Sequence, residues 1–305
     1  MLTQRSLSLS KGLIKKFDLS SIWFYHNIQE ARMAIITLAR QVAAKGDEVA
    51  QELASKLGYQ FITRKQIEQR IIELGFPESK LPKYDERKPG FFASMAKDRD
   101  AYQNLSQYAM LEAAAKGNII IIGRGAFALF ASVPNHISVR LIASEKVRIA
   151  RLMEEFEWNE KQARQHIQES DANRTGYHKN FYNIDIDDPS NFHMFLNTGS
   201  VSINDCANII ADFTRAHITP TKEEEGTKLI EEMLKAQTVV NKLIFDFKIG
   251  IDFLHAAIED GTFVLYGVTD APGLVEQALE IVRKELPEYP TKSSVSIVHD
   301  FKQFQ

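Results

Sequence analysis

The segment that decides the fold reads AIITLARQVAAKGDEVAQELASKLG and runs from Ala34 to Gly58. Its opening residues, Ile35–Leu38, form a short apolar run of the kind that makes a strand buried on both faces. Gly58 is suited to end the helix that follows. The segment therefore predicts a strand, a loop and a helix, which is the frame of a nucleotide-binding unit. The predicted helix carries one apolar stripe at the spacing of an amphipathic helix, formed by Val49, Ala50, Leu53, Ala54 and Leu57.

The loop inside this frame, RQVAAKGDE (Arg40–Glu48), has only part of the chemistry of a phosphate-binding loop. Phosphates are held by inward-pointing N–H groups and a helix N-terminus, with glycines allowing close approach and a lysine reaching the terminal phosphates. Gly46 opens the helix and Lys45 lies beside it, but the pattern G-x-x-x-x-G-K-[ST] is missing and Asp47 adds negative charge. The alternative is an ordinary strand–helix turn in which Asp47 stabilises the helix N-terminus.

Composition limits the class of protein. A chain of 305 residues predicts about two domains. A net charge of −3 gives no electrostatic basis for binding nucleic acid. Cys206 is the only cysteine, so disulfides and cysteine metal clusters are excluded and a reducing, cytoplasmic compartment is expected. No apolar run approaches the ~20 residues needed to cross a bilayer. Residues 1–33 are expected to be an N-terminal extension, whose first 16 residues contain four basic side chains and no acidic one.

Strand-like and helix-like segments alternate along the next part of the chain. Further buried strands are predicted at Tyr59–Ile62, Asn118–Gly123, His136–Ala143 and Ala207–Phe213. Helices are predicted from Thr63 to about Gly75, from about Tyr102 to Ala115, and from Glu145 to about Ser170, with a loop-rich excursion over residues 76–100. Five strands with intervening helices predict a doubly wound parallel α/β domain over residues 34–218. Ligands bind beyond the carboxyl ends of such strands, so the loops after Leu38, Gly123 and Ala143 should surround one crevice.

Several arginines are expected to converge on this crevice. Arg124 lies between two glycines directly after the central strand, in IGRGAF, and suits bidentate phosphate capture. Arg148 and Arg151 are three residues apart on a helix, and ESDANR supplies Asp171 and Arg174 from a segment expected to be mobile. Converging arginines are what phosphoryl transfer requires. Each of them taken alone has the alternative of being a solvated surface charge.

The remaining residues, 219–305, are predicted to form a small α+β domain with its own core. Thr219–Gly226 reads as a polar linker, followed by a helix near Thr227–Val240. The unit is completed by strand-like segments split by Glu259–Thr262, by a helix in APGLVEQALEIVRKEL and by a last strand in SSVSIVHDF.

Earlier in the chain, the segment YNIDIDDPS contains a cluster of acidic residues. It lacks the glycine and distal glutamate of a calcium loop, so we interpret it as a solvated turn and predict no metal site.

The segments from about Ala34 to Phe213 together resemble the cytidylate kinase-like family of nucleoside monophosphate kinases, which have a P-loop NTPase fold. The motifs that carry the resemblance include ITLARQVAAKGDEVAQELASKLG, DERKPGFF, IIIIGRGA, VRIARLME, ESDANRTGYHKNFY and NFHMFLNTG. The resemblance implies ATP and Mg²⁺ as cofactors. It implies that Arg124 meets the monophosphate acceptor, and that Asp85 and Glu86 lie on the acceptor side. It places Arg148, Arg151, Asp171 and Arg174 in a lid over the transferring phosphoryl group, and the donor phosphates against Arg40, Ala43, Ala44, Lys45, Gly46, Asp47 and Glu48.

This sequence departs from the family's pattern at two places. Ala43, Ala44 and Lys45 stand where further glycines are usual, and Gly46 stands where better-known relatives have a lysine. Ile122 stands where an acidic residue usually precedes the GR turn. The C-terminal unit is similar to a BON domain, through GTFVLYGVTDAPGLVEQALEIVRKEL, which implies binding to a protein partner or a lipid surface.

Three functions follow from these observations. The first is transfer of the terminal phosphate of ATP to a nucleoside monophosphate, with CMP implied by the resemblance. The second is a catalytically impaired protein that senses a nucleotide through a kinase fold. The third is a kinase acting on another small acceptor.

Overall fold

The computed structural model describes residues 33–84 and 96–298. Asp85, Glu86 and most of the predicted N-terminal extension lie outside the described residues. The first strands and helices follow in the order β1 (Ile35–Arg40), α1 (Gly46–Leu57), β2 (Gln60–Ile62), α2 (Arg64–Glu73), α3 (Ala96–Ala114), β3 (Ile119–Ile122), α4 (Ala126–Leu129) and β4 (His136–Ile142). They continue with α5 (Glu145–Phe156), α6 (Glu160–Tyr182), β5 (Met194–Asn197), α7 (Ile203–His217), α8 (Pro220–Asn241), β6 (Asp252–Glu259), β7 (Thr262–Thr269), α9 (Pro272–Glu285) and β8 (Thr291–Ile297). Short 3₁₀ turns occupy Glu78–Tyr84 and Pro189–Asn191, and a π-helical turn occupies Lys242–Asp246.

The first five strands form one parallel sheet in the order β2-β3-β1-β4-β5. All residues of β1 and β3 are buried, as continuous apolar runs in a parallel sheet require. Side chains alternate between the two faces of the sheet. Ile36 and Leu38 pack with α1 and α7, whereas Ile35 packs with Ile119 and residues of α3 and α8. The predicted doubly wound five-stranded α/β domain is confirmed.

The fifth strand was predicted at the wrong place. Ala207–Phe213 belongs to helix α7, and the strand is Met194–Asn197, which pairs with β4. Ser202 caps α7 by accepting a hydrogen bond from the N–H of Asp205. The buried residues recur at helical rather than strand spacing, because the apolar run is one stripe of a longer amphipathic helix: Cys206, Ala207, Ile210, Ala211 and Thr214.

The stretch predicted as one helix from Glu145 to about Ser170 is divided between two helices, which contact each other. Helix α5 ends at Phe156, where Glu157 takes a left-handed conformation with φ 55°, and α6 begins after the capping box of Asn159 and Gln162. The segment ESDANR lies inside α6 and is not a separate mobile segment. The hairpin therefore presents Arg148, Arg151, Asp171 and Arg174 from two regular helices.

The segment predicted as a polar linker, Thr219–Gly226, is the first part of helix α8. Thr219 accepts a hydrogen bond from the N–H of Lys222, and Pro220 takes the first helical position, where its missing N–H costs nothing. The prediction of a linker relied on the proline and the charged residues of this segment. It was wrong because the same residue types are also typical of the first turn of a helix.

The C-terminal part of the chain contains a small three-stranded mixed sheet in the order β6-β7-β8. Strands β6 and β7, the strand-like segments predicted on either side of Glu259–Thr262, pair in antiparallel fashion around Asp260 and Gly261, and β8 is parallel to β7. One core holds α8, α9 and the inner face of this sheet together. Among the helices of the described residues, none combines the length and apolar character that crossing a bilayer requires.

Candidate functional site

The loop between β1 and α1 lines a cavity, together with the N-terminus of α1, which has no side-chain cap. Lys45 is the N-cap residue of α1, and its side chain caps no backbone N–H. The first N–H groups of a helix have no intrahelical acceptor and carry the positive end of the helix dipole. Ala43 and Lys45 both take left-handed conformations, with φ 57° and 53°. Alternating conformations of this kind turn neighbouring N–H groups towards one side, which makes an anion-binding concavity.

The cavity has a volume of about 1190 Å³ and joins the loop to α2, to the 3₁₀ turn and to the α5–α6 hairpin. The cavity lining includes Arg40, the loop residues 41–48, Arg151 and Arg174. Basic and acidic side chains both line it, so the cavity is not a uniformly positive surface. The charged lining residues are Arg40, Lys45, Asp47, Glu48, Arg64, Glu68, Glu78, Arg151, Glu154, Glu155 and Arg174.

Gly46 is required by the close approach of Arg40. A Cβ at Gly46 would lie 2.8 Å from Cγ of Arg40, which is closer than side chains pack. Ala44 is fully buried in the core beneath the loop. Asp47 and Glu48 are exposed in the first turn of α1, where negative charge is favourable to the helix.

Arg124 is buried behind the cavity. Its Nη1 donates hydrogen bonds to the Tyr84 carbonyl at 2.8 Å and the Tyr102 hydroxyl at 2.7 Å, and its Nη2 donates to the carboxylate of Glu68. Glu68 also accepts from Arg64 Nε at 2.8 Å and lines the cavity. The turn after the central strand thus connects to the crevice through a shared carboxylate. Only 1% of the surface of Arg124 is exposed, so its guanidinium is enclosed by protein atoms, among them the Glu68 carboxylate.

The arginines of the α5–α6 hairpin have different environments. Arg148 is buried and forms an ion pair with Asp171 at 2.8 Å, which joins α5 to α6. Arg174 is also buried, and it lines the cavity. Arg151 lines the cavity and donates to the carbonyl of Ala43 at 2.8 Å. Arg151 and Arg174 therefore place charge in the cavity, whereas Arg148 and Asp171 hold the hairpin together.

The sequence analysis missed some of the residues that shape this site. Arg64 and Glu68 lie four residues apart on α2, and the capping box of Thr63 and Gln66 fixes where that helix begins. Phe156 and Trp158 stack at 4.7 Å between ring centroids and line the cavity at the tip of the hairpin. The i, i+4 spacing of Arg64 and Glu68 in the sequence could have predicted their ion pair. Contacts between residues on opposite sides of the cavity produce no such pattern in the sequence.

The loop and cavity fit the triphosphate of ATP with Mg²⁺. The uncapped helix N-terminus suits phosphate oxygens, and Lys45 and Arg40 add positive charge. The carboxylates of Asp47 and Glu48, at the start of α1, are oxygen ligands of the type that Mg²⁺ takes. Among the described residues, no group of three or more His, Cys, Asp or Glu side chains is placed to hold a metal without a nucleotide.

Solved structures that are similar to this chain each cover about three fifths of it. The chain resembles the structure of an uncharacterized protein from Eubacterium ventriosum, with 19% identity and a TM-score of 0.49 over 61% of this chain and 99% of that one. Shikimate kinase from Acinetobacter baumannii, in complex with shikimate, shares 14% identity with a TM-score of 0.39 over 60% and 94% of the two chains. Shikimate kinase from Bacteroides thetaiotaomicron shares 15% identity with a TM-score of 0.38 over 59% and 98%.

No curated protein matches the chain. The profile of the cytidylate kinase-like family matches residues 35–200, which is more than half of the 305 residues and includes the loop, the cavity and the α5–α6 hairpin. With this match, the chain belongs to the cytidylate kinase-like family.

Proposed function

We propose that the protein transfers the terminal phosphate of ATP, bound with Mg²⁺, to CMP or a related small acceptor. The observation that carries this proposal is the uncapped N-terminus of α1, which opens onto a cavity lined by four arginines and Lys45. Membership of the cytidylate kinase-like family supports the same reaction class. The acceptor follows from the family alone, since no contact in the cavity selects cytosine.

The donor phosphates are bound by backbone N–H groups and cations of the loop. The N–H of Ala44 already donates to the carbonyl of Gln41, so the N–H groups of Lys45, Gly46 and Asp47 are the ones directed to phosphate. Arg40 and the Lys45 ammonium add charge beside them. Mg²⁺ bound with the nucleotide would supply further charge neutralisation, and the carboxylates of Asp47 and Glu48 in the first turn of α1 would be the protein groups to hold it.

The acceptor side depends on Arg124. The guanidinium orients the acceptor phosphate by bidentate contact, and Glu68 leaves it as the phosphate arrives. Arg151 and Arg174 neutralise the charge that builds up on the transferring group, while Arg148 acts through its ion pair with Asp171. The reaction is an in-line transfer with no covalent intermediate, so the protein supplies position and charge.

A nucleotide-sensing protein without turnover is the second candidate. It is favoured by Glu68, which occupies Arg124, and by Ile122, which is buried in the core at the position where an acidic residue is usual. A kinase for another small phosphate acceptor is the third candidate.

We also propose that the C-terminal unit is BON-like and binds a protein partner or a lipid surface, on the basis of its sequence similarity alone.

The test measures thermal shifts and coupled phosphoryl transfer with MgATP and each nucleoside monophosphate. We expect MgATP to raise the melting temperature, one monophosphate to turn over, and Arg124→Ala to raise the KM of the acceptor at least a hundredfold while sparing the KM of ATP. Arg164→Ala is the matched control, because Arg164 lies on α6 but pairs with the surface carboxylates Glu145 and Glu160. Binding without turnover would favour the sensor, and no stabilisation by any nucleotide would exclude both.

A further inference from the structure

The loop keeps a strained shape without the glycines that usually permit one. Ala43 and Lys45 are left-handed, and this conformation costs an L-residue about 1–2 kcal/mol. Such residues persist only where their surroundings fix them. The contacts that fix this loop therefore decide whether its N–H groups face an anion.

Two side chains outside the loop bind its carbonyl groups. Arg151 Nη1 donates to the Ala43 carbonyl at 2.8 Å and to the Thr198 hydroxyl at 3.1 Å, and its Nη2 donates to the Thr198 carbonyl at 2.6 Å. The Thr198 hydroxyl donates to the Ala44 carbonyl at 3.1 Å, with the Ile142 carbonyl a second acceptor at 3.3 Å. Thr198 is buried at the end of β5, and its N–H donates to the Ile142 carbonyl at 2.9 Å.

These contacts determine where the loop N–H groups point. A carbonyl and the N–H of the next residue lie in one rigid peptide plane and point in opposite directions. Holding the Ala44 carbonyl against Thr198 therefore turns the N–H of Lys45 the other way. Holding the Ala43 carbonyl against Arg151 fixes the preceding peptide plane in the same manner. The loop is thus oriented from the end of β5 and from α5.

We propose that Thr198 is a positioning residue that, together with Arg151, holds the glycine-poor loop in its phosphate-binding shape. The proposal rests on the proposed function only in taking a nucleotide phosphate as the anion. The hydroxyl of Thr198 is the essential group, because it donates to the loop while accepting from Arg151.

The first experiment needs no ligand. Trypsin cleaves after lysine, and cleavage at the Lys45–Gly46 bond reports how often the loop leaves its folded shape. We expect Thr198→Val, which keeps the shape of the side chain, to raise the cleavage rate at this bond about tenfold. Thr198→Ser should stay within twofold of the wild type because it keeps the hydroxyl. The matched control is Thr214→Val, which removes another buried threonine hydroxyl that donates at 2.7 Å to the Ile210 carbonyl within α7.

The second experiment measures MgADP binding by calorimetry on the same variants. We expect Thr198→Val to weaken binding about tenfold, and added Ala43→Gly to recover most of the loss, since glycine adopts the left-handed conformation without penalty. A merely structural threonine would show no such recovery. Equal behaviour of Thr198→Val and Thr214→Val, or a Ser variant as impaired as the Val variant, would overturn the proposal. If the wild type binds no MgADP, the proposed function fails while the cleavage result still decides the role of Thr198.

Discussion

At the scale of single residues, the site depends on backbone conformations that most side chains avoid. Arg124 and Gly125 follow β3 with φ 58° and 71°, and this tight turn directs the guanidinium of Arg124 back towards Glu68. Tyr182 covers the turn, with its hydroxyl donating to the Arg124 carbonyl at 2.9 Å. Gly125 leaves the space for the Tyr182 ring, so its lack of a side chain and its left-handed conformation both serve the position of Arg124.

Replacing Gly125 by alanine should therefore be costly. A Cβ there would lie 2.0 Å from Cε2 of Tyr182, and the left-handed backbone adds strain. We expect Gly125→Ala to lower the free energy of unfolding by about 2–4 kcal/mol in urea titrations. Gly176→Ala, inside α6 with no other atom within 4 Å of the added Cβ, should raise it by about 0.5–1 kcal/mol. Similar effects of the two substitutions would show that Tyr182 does not restrict the turn.

At the scale of elements, β4 carries polar side chains into the core. The His136 ring nitrogen and the Thr37 hydroxyl are 2.7 Å apart, and Ser138 contacts His193 at 2.8 Å. The ring of His193 in turn contacts the ring of His217, with 5.5 Å between the ring centroids. A ring nitrogen of His217 lies 2.8 Å from Nζ of Lys222. Burial, and then the charge of the neighbouring His193, lower the pKa of His136 to about 3, and burial also lowers the pKa of His193. The strand is therefore stable with neutral imidazoles.

This array should make the fold sensitive to acid. The unfolded His136 takes up a proton near pH 6.5, whereas the folded residue resists protonation down to about pH 3, so stability falls as the pH drops through this window. Between pH 6.5 and 4 the loss attributable to His136 is about 3 kcal/mol. His136→Gln should remove most of this slope in urea titrations at several pH values, leaving a remainder from His193 and His217. His255→Gln, at an exposed position on β6, should keep the slope of the wild type.

The elements also show what the sequence could and could not predict. Continuous apolar runs located β1, β3 and β4, and the capping box of Thr63 located α2, because these signals are local. The run Ala207–Phe213 was misread because its three consecutive apolar residues, Ile209 to Ala211, fit a strand as well as a helix stripe. Of the arginines predicted to converge on one crevice, Arg151 and Arg174 line the cavity, whereas Arg124 lies buried behind it and Arg148 pairs with Asp171. The contacts of Thr198 with Ala44 and of Glu68 with Arg124 join residues that are far apart in the chain, so no local sequence pattern predicts them.

At the scale of the whole molecule, α8 belongs to two hydrophobic cores. Near its middle, Ile230 is buried with α3 and β3 of the kinase fold, and Gly226 packs directly against Asn135. More than two turns after Ile230, Val239 and Val240 are buried with the three-stranded sheet and α9. Gln237 donates to Asn104 on α3 at 2.9 Å. The helix that begins at Pro220 thus contributes buried residues to both cores.

Because one helix contributes to both cores, we expect the two parts to unfold in a single transition. Ile230→Ala and Val240→Ala remove side chains from opposite cores, and each should lower the free energy of unfolding by about 2–4 kcal/mol. Hydrogen exchange of amides in β3 and in β7 should report the same loss for either variant, since disruption of one end of α8 releases the other. Ile209→Ala, at an exposed position on α7, is the matched control and should change neither. If Ile230→Ala affected β3 alone and Val240→Ala affected β7 alone, the cores would unfold separately, and α8 would be a connection and not a shared structural element.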